Sequence, residues 1–239
     1  MISVCIATYN GEDVILTQLN SILPQLGMDD EVIISDDGSK DGTVDKVLGL
    51  NDKRIKIVNG PCKGSPILNF ENALQYCKGD YIFLSDQDDK WMPEKVETCL
   101  KRLKGGFDCV VTDCIVTDMN FNVISPSFYA HNHLHEGRFY NLLVSNNYLG
   151  GSMAFNRRVL QASLPFPKDI PMHDIWIGNV AAFFYKTTFI HQACSYLRRG
   201  DHNASSTARK SDNSLLTKLC LRWRIVKGLM LRKSQLSAR

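Results

Sequence analysis

One repeated unit restricts the fold of this chain more than any other feature: a short apolar, β-branched run that halts at a polar turn and gives way to helical spacing. Residues 2–8 halt at Tyr9-Asn10-Gly11, and apolar side chains then recur at Val14, Ile15, Leu19, Ile22, Leu23 and Leu26, the spacing of an amphipathic helix over 12–26. Residues 31–35 run into Asp36-Asp37-Gly38-Ser39, and helical spacing resumes over 41–50. A third strand is expected at 55–58, a helix at 67–77, and a fourth strand at 81–85 that opens into Asp86-Gln87-Asp88-Asp89. Pro93 begins the next helix, where a fixed φ suits the first turn. Strands separated by helices predict an α/β fold around a mostly parallel sheet with covered faces. Ligands of such sheets lie beyond the carboxyl ends of the strands. Here those ends carry Tyr9-Asn10, Asp36-Asp37 and the 86–89 run, so the acidic groups gather on one edge.

The second half is less regular, with strands expected at 108–113, 149–155 and 188–191 and a helix at 174–185. With 239 residues, 44% of them hydrophobic, the chain has ample material for a core, which excludes a disordered or collagen-like polymer. Its eight cysteines include no Cys-x-x-Cys pair and several lie inside apolar runs, which favours free buried thiols in a reducing compartment. No leader-like segment and no apolar stretch of roughly 18 residues is present, so a cytosolic chain is expected. The formal charge of +3 gives no reason to expect nucleic acid as a partner, but it is unevenly spread. Residues 213–239 hold seven basic and no acidic side chains, leaving 21 basic against 25 acidic residues in 1–212.

The 86–89 run places three carboxylates within four positions at the end of an apolar strand. Carboxylates this close repel one another, and a hard divalent cation with oxygen ligands relieves the repulsion. The Asp36–Gly42 loop has the early positions of a calcium loop, but the bidentate acid at its twelfth position would be Leu48, which removes that reading. It remains a loop that offers carboxylates to a ribose or a base N–H. The first turn has only Gly11 where a dinucleotide fingerprint needs three glycines, and there is no Walker loop. Nucleotide phosphates would therefore be held mainly by metal and side chains.

Taken in order and spacing, residues 2–11, 31–43 and 80–89 resemble glycosyltransferase family 2. The Asp-Gln-Asp-Asp-x-Trp form, with 149–157 and His173-Asp174-Ile175-Trp176 downstream, is similar to its bacterial rhamnosyltransferase-like branch. The resemblance covers about residues 1–205 and implies a GT-A-type fold: a nucleotide-sugar-binding half at about 1–105 merged with an acceptor-binding half at 106–210. It implies that Tyr9 and the backbone near Ala7 pack on the base, that Asp36, with Asp37 beside it, meets base or ribose, and that Asp86 meets the ribose. Asp88 would ligate Mg²⁺ or Mn²⁺ on the donor diphosphate, and Asp174 would be the base for a single, inverting displacement. A helix-starting carboxylate is also a common structural cap. A basic residue after the third strand is implied, with Lys63 the nearest; a lysine there reads equally as a solvated surface residue. A diphosphate-closing segment is implied at 196–205, where His202, Arg198 or Arg199 could serve. On the acceptor side lie Gly150, Gly151, His173 and Trp91, the last either stacking on a sugar or packing beneath its loop. His131, His133 and His135, alternating as on a strand face, read as an acceptor-side loop.

The expected activity is transfer of a sugar from a nucleoside-diphosphate donor, dTDP-rhamnose favoured and UDP-galactose or UDP-glucose the alternative, to a growing cell-surface polysaccharide or lipid-linked glycan. A nucleotidyltransferase would instead need a Gly-rich, basic first loop. A non-catalytic binding domain would keep Asp36 and Asp86 and tolerate change at Asp174. Residues 211–239 read as a basic amphipathic helix, with Leu215, Leu216, Leu219, Trp223, Val226 and Met230 on one face. Such a helix either lies in the interface of an anionic membrane, on the inner face of the cell membrane, or packs on the domain with a solvated basic face.

Overall fold

The computed structural model describes residues 1–200 and 214–237. In chain order the strands are β1 (Ile2–Thr8), β2 (Glu31–Asp36), β3 (Ile55–Asn59), β4 (Tyr81–Asp86), β5 (Lys90–Trp91), β6 (Cys109–Thr117), β7 (Val123–Ser125), β8 (Met153–Asn156) and β9 (Thr187–Arg198). The helices are α1 (Ile15–Ile22), α2 (Thr43–Gly49), α3 (Pro66–Tyr76), α4 (Lys95–Lys104), α5 (Phe128–Asn132), α6 (Arg138–Leu143), α7 (Arg157–Ser163), α8 (His173–Phe184) and α9 (Leu215–Ser237). All nine strands join one sheet in the order β3-β2-β1-β4-β8-β6-β9-β5, with β7 paired to β6.

The first half is the expected parallel sheet: β1 lies between β2 and β4, and β2 continues to β3. Alternation along β1 explains its apolar run. Val4 and Ile6 pack under Leu19 and Ile22 of α1 and Cys99 of α4, while Cys5 faces Phe70 and Leu74 of α3. A strand covered on both faces has no side on which a polar residue is favoured. Helix starts follow local chemistry. Ser65 caps α3 by accepting from the Leu68 N–H, with Pro66 in the first turn, and Asn156 caps α7 through the Val159 N–H.

The second half departs from the sequence expectations. The sheet is mixed there, β8 running antiparallel to both β4 and β6, and β9 parallel to β6. Residues 149–155 are not one strand: Gly150–Ser152 forms a 3₁₀ turn and only Met153–Asn156 pairs. The last strand is 12 residues long rather than four, because register shifts at Thr112/Asp113 and Asp113/Ile115 break the alternation a sequence pattern relies on. Pro24 ends α1 early in a short 3₁₀ segment. His131 lies on α5 and His133 has a left-handed φ of 52°, so the three histidines share no strand face. All eight cysteines are thiols, six of them buried. No helix among the described residues is long and apolar enough to cross a membrane.

The C-terminal helix meets the body by a face that the sequence pattern did not mark. Ile225 and Leu229 are buried against the core that holds Trp176, and Gly228 lets the helix approach so closely that a Cβ there would lie 2.8 Å from the Trp176 ring. Arg232 donates to the carbonyls of Leu164 and Pro165.

Candidate functional site

Parallel pairing brings the strand ends to one edge. Ala7 pairs with Asp86 and Thr8 with Asp36, so residues 7–9, 36–37 and 86–89 emerge side by side. All of these but Asp36 border a cavity of about 370 Å³ that reaches across to Gly150, His173, Asp174 and Arg199. Gln87 locks the first loop to the acidic run. Its Oε1 accepts from the Thr8 hydroxyl at 2.6 Å and the Tyr9 N–H at 3.0 Å, and its Nε2 donates to the Tyr9 carbonyl at 3.2 Å. Gly11 lies directly beneath it, and a Cβ there would come within 2.5 Å of Gln87 Oε1 and displace the amide. This loop leaves the Tyr9 ring 51% exposed at the cavity wall, where it can cover a flat apolar ligand.

The acidic run is electrostatically loaded. Burial, then the charges of Asp88 and Asp174, push Asp86 up to about 7. Asp89 is raised well above the usual carboxylate range by burial and by its two Asp neighbours, and burial also raises Asp88, against the opposing pull of Arg198 and Arg199. Such a cluster of hard oxygen donors fits a divalent cation. Among the described residues, however, no three His, Cys, Asp or Glu side chains are arranged to hold a metal by themselves. The run could supply only part of a coordination sphere. Beneath it lies Lys95, fully buried, its ammonium 4.5 Å over the Trp91 ring and donating to the Gly151 carbonyl. Burial lowers the Lys95 pKa, while the Asp89 charge opposes that shift.

The Gly150-Gly151 turn joins the two sides of the site. The Gly150 N–H donates to Asp174 Oδ2 at 3.1 Å, and a Cβ on Gly151 would lie 2.7 Å from Asp89 Oδ2 and 3.1 Å from Asp86 Oδ2. Asp174 stands in the first turn of α8, where Oδ1 accepts from the Ile175 N–H at 2.7 Å. Burial pushes its carboxyl up to about 6 against these two N–H donors. His173, before it, is stacked on Phe70 with ring centroids 3.9 Å apart, and both of its ring nitrogens are buried without a hydrogen-bond partner among the described residues. Burial holds its pKa down to about 3, so the ring is neutral at physiological pH.

The cavity gathers Ala7, Tyr9, Asp37, Asp86, Asp88, Gly150, His173, Asp174 and Arg199 from the sequence-marked residues. Others stand back. The Asp36 carboxylate is taken up by its own loop, accepting from the N–H groups of Gly38 and Ser39 and from the Ser39 hydroxyl, whereas Asp37 lines the cavity and pins the next loop through the Gly64 N–H at 2.7 Å. Lys63 gives Asp37 a backbone N–H at 3.3 Å and is itself exposed. Arg198 turns inward, its N–H on Asp89 Oδ1 at 3.2 Å and its guanidinium on the Asp88 carbonyl. Trp91 is corrected: it is 2% exposed, packed on Phe83, with no face open to a sugar. His202 lies outside the described residues. Gln87 and Lys95 were missed by sequence reasoning.

The raised Asp86 pKa has a consequence for stability. Between about pH 4 and 7 the native protein holds a proton there that the unfolded chain has released, so stability falls as pH rises through that window. In metal-free buffer, Asp86→Asn is expected to lose less Tm between about pH 5 and pH 8 than the parent protein does. Equal losses in a thermal melt would show that Asp86 is ionised throughout.

Comparison with known proteins agrees with this architecture. The model of the family described as glycosyl transferase family 2 matches residues 3–164. A UDP-Glc:alpha-D-GlcNAc-diphosphoundecaprenol beta-1,3-glucosyltransferase, WfgD of Escherichia coli, is 36% identical over 98 residues, 41% of this chain and 38% of that protein. A putative teichuronic acid biosynthesis glycosyltransferase, TuaG of Bacillus subtilis (strain 168), is 34% identical over 103 residues, 42% of this chain and 41% of that protein. The matches span about two fifths of these relatives. Among solved structures, S. aureus TarS 1-349 in complex with UDP-GlcNAc superposes with a TM-score of 0.70 at 19% identity, over 94% of this chain and 66% of that one. The mannosyltransferase PcManGT from Pyrobaculum calidifontis, in complex with GDP-Man and Mn²⁺, gives 0.64 at 17% identity, over 99% of this chain and 74% of that one. These likenesses show the fold, which is of the GT-A type. The family match takes in more than half of the sequence, and on it the chain belongs to glycosyl transferase family 2.

Proposed function

We propose that the chain is a metal-dependent, inverting glycosyltransferase that moves a sugar from a nucleoside diphosphate to a growing polysaccharide or lipid-linked glycan. The observation that carries this reading is the convergence, on one cavity, of an exposed aromatic ring (Tyr9), a repelling carboxylate run (Asp86, Asp88, Asp89), a cation (Arg199) and a separate carboxylate (Asp174). Tyr9 and the backbone at Ala7 would take the base, Asp37 with Asp36 and Asp86 the base and ribose, and Arg199, with Arg198 behind it, the diphosphate.

Asp88 would hold Mg²⁺ or Mn²⁺ together with diphosphate oxygens, and that ion would offset the charge that grows on the departing nucleotide. Asp174 would accept the proton of the attacking acceptor hydroxyl. Its pKa near 6 leaves it ionised yet basic at neutral pH. One displacement with one base inverts the anomeric centre. Gly150, Gly151 and the neutral His173 would border the acceptor. Residues 1–210 would form the catalytic unit and 211–239 an appended helix, and the protein would work peripherally at the cytoplasmic face of a membrane that carries its acceptor.

For the donor, we rank UDP-glucose ahead of dTDP-rhamnose and the rhamnosyltransferase-like branch, because similar relatives carry UDP-Glc in their names and a structural neighbour is in complex with UDP-GlcNAc. A panel of UDP-glucose, UDP-galactose, UDP-GlcNAc and dTDP-rhamnose with Mn²⁺, scored by released nucleoside diphosphate, tests this directly. The expected order puts UDP-glucose first. Release from dTDP-rhamnose alone would restore the branch reading, and binding without release from any donor would make the chain a non-catalytic module.

A further inference from the structure

Helix α9 has two unlike faces. The inner one, Ile225, Gly228, Leu229 and Arg232, follows the 3-4-7 spacing of a packed helix and is buried on the body. Arg222, at the edge of this face, donates to the Val144 carbonyl, which ties α9 to the end of α6. Roughly opposite run Leu216, Leu219, Trp223 and Met230, all more than half exposed, with Val226 half-buried at their border. Single exposed apolar residues are ordinary; four in line along one helix form a stripe, which marks an interaction surface. Phe139, Leu143 and Val144 on and beside α6 are exposed as well.

The flanks of the stripe are cationic. Arg224, Lys227 and Lys233 are exposed, Lys218 and Arg222 half-buried, and no acidic residue occurs from 213 to 239, although the rest of the chain carries an acidic excess. We infer that this outer face of α9 seats the protein on the interface of an anionic phospholipid bilayer, with the stripe at the boundary between headgroups and acyl chains and the flanking Lys and Arg at the headgroups. A lipid interface offers what the face asks for: apolar depth along its centre and negative charge on both sides. A second copy of this chain that met the face with its own α9 would present the same cations and be repelled. Because the inner face already holds the helix folded, seating it requires no further ordering of the α9 backbone. The inference takes from the proposed reaction only a purpose, reach to a lipid-linked acceptor. The face itself rests on exposure and charge.

The test uses the full chain with vesicles of phosphatidylcholine alone or with about three parts in ten phosphatidylglycerol, at low and high salt. Of the three tryptophans, Trp91 and Trp176 are buried and Trp223 is 63% exposed, so a blue shift of emission on vesicles reports Trp223. Expected are co-sedimentation with the anionic vesicles that weakens with salt, and a blue shift. At least a tenfold lower partition is expected for Leu219→Ser/Trp223→Ser and for Arg224→Glu/Lys227→Glu. Unchanged Tm in both double variants would show that the inner face still holds. Equal binding to neutral vesicles, unchanged binding of both variants, or no vesicle binding with self-association in sedimentation would each overturn the inference. Donor turnover in solution is measured alongside: its absence with vesicle binding intact counts against the proposed reaction and leaves this face standing.

Discussion

Asp174→Asn is expected to lower turnover by about 10²–10⁴-fold, the contribution of a positioned general base, while binding of the nucleoside diphosphate stays within about twofold. The substitution keeps the volume of the side chain and removes its basicity. Both oxygens of Asp174 already accept N–H bonds, from Gly150 and Ile175, so the carboxylate is held in place before any substrate arrives. Burial raises its pKa to about 6. The same shift sets the pH profile: the base is inactive when protonated, so activity of the parent protein should rise with pH through about 6 and then level. The Asn variant should show residual activity without that acid limb. A purely structural role for this helix-starting residue predicts the opposite pattern, a lower Tm with near-normal kcat. Steady-state kinetics across pH, beside a thermal melt, separate the two.

How much of this was legible in the sequence depended on what each residue faces. The strands of the parallel half are covered on both sides, so Ile2–Thr8 and Tyr81–Asp86 read as mainly apolar runs and their polar ends stand out. Parallel order then carried those ends to one edge without any knowledge of contacts. β9 was mostly lost because exposed His191 and Gln192 and the register shifts opposite Asp113 interrupt its pattern. Lys95 was illegible for a different reason: its type predicts solvent, and it is the Asp86 and Asp89 carboxyls, the Trp91 ring and the Gly151 carbonyl around it that make its burial tolerable. In α9 the apolar stripe of 216–230 was visible, yet the helix docks by Ile225, Gly228 and Leu229, since a glycine that fits against Trp176 has no hydrophobic signature. Tertiary partners, absent from any local window, decided each of these.

Asp88→Ala is expected to remove the metal-dependent part of nucleotide affinity and to lower turnover by about 10³-fold, corresponding to roughly 4 kcal/mol of charge stabilisation. The three carboxylates of the 86–89 run are not equivalent. Asp89 is 2% exposed and accepts the Arg198 N–H, so its loss acts first on the fold of the loop. Asp86 lies against the position of a Gly151 Cβ and beside the Lys95 charge, which partly offsets its own. Asp88 borders the cavity with Arg199, and the Arg198 and Arg199 charges oppose the rise that burial gives its carboxyl. Calorimetry of nucleoside diphosphate binding with and without Mn²⁺ reads the assignment independently of activity. The parent protein should bind at least about tenfold more tightly with the ion, and the variant should show less than a twofold difference. A variant that keeps the full metal response, while Asp86→Ala abolishes it, would move the ligand to Asp86. Loss of metal response in both would mean that the two carboxylates share the ion, so that a bound cation would offset both the burial and the Asp88 and Asp174 charges that raise Asp86 to about 7 without metal.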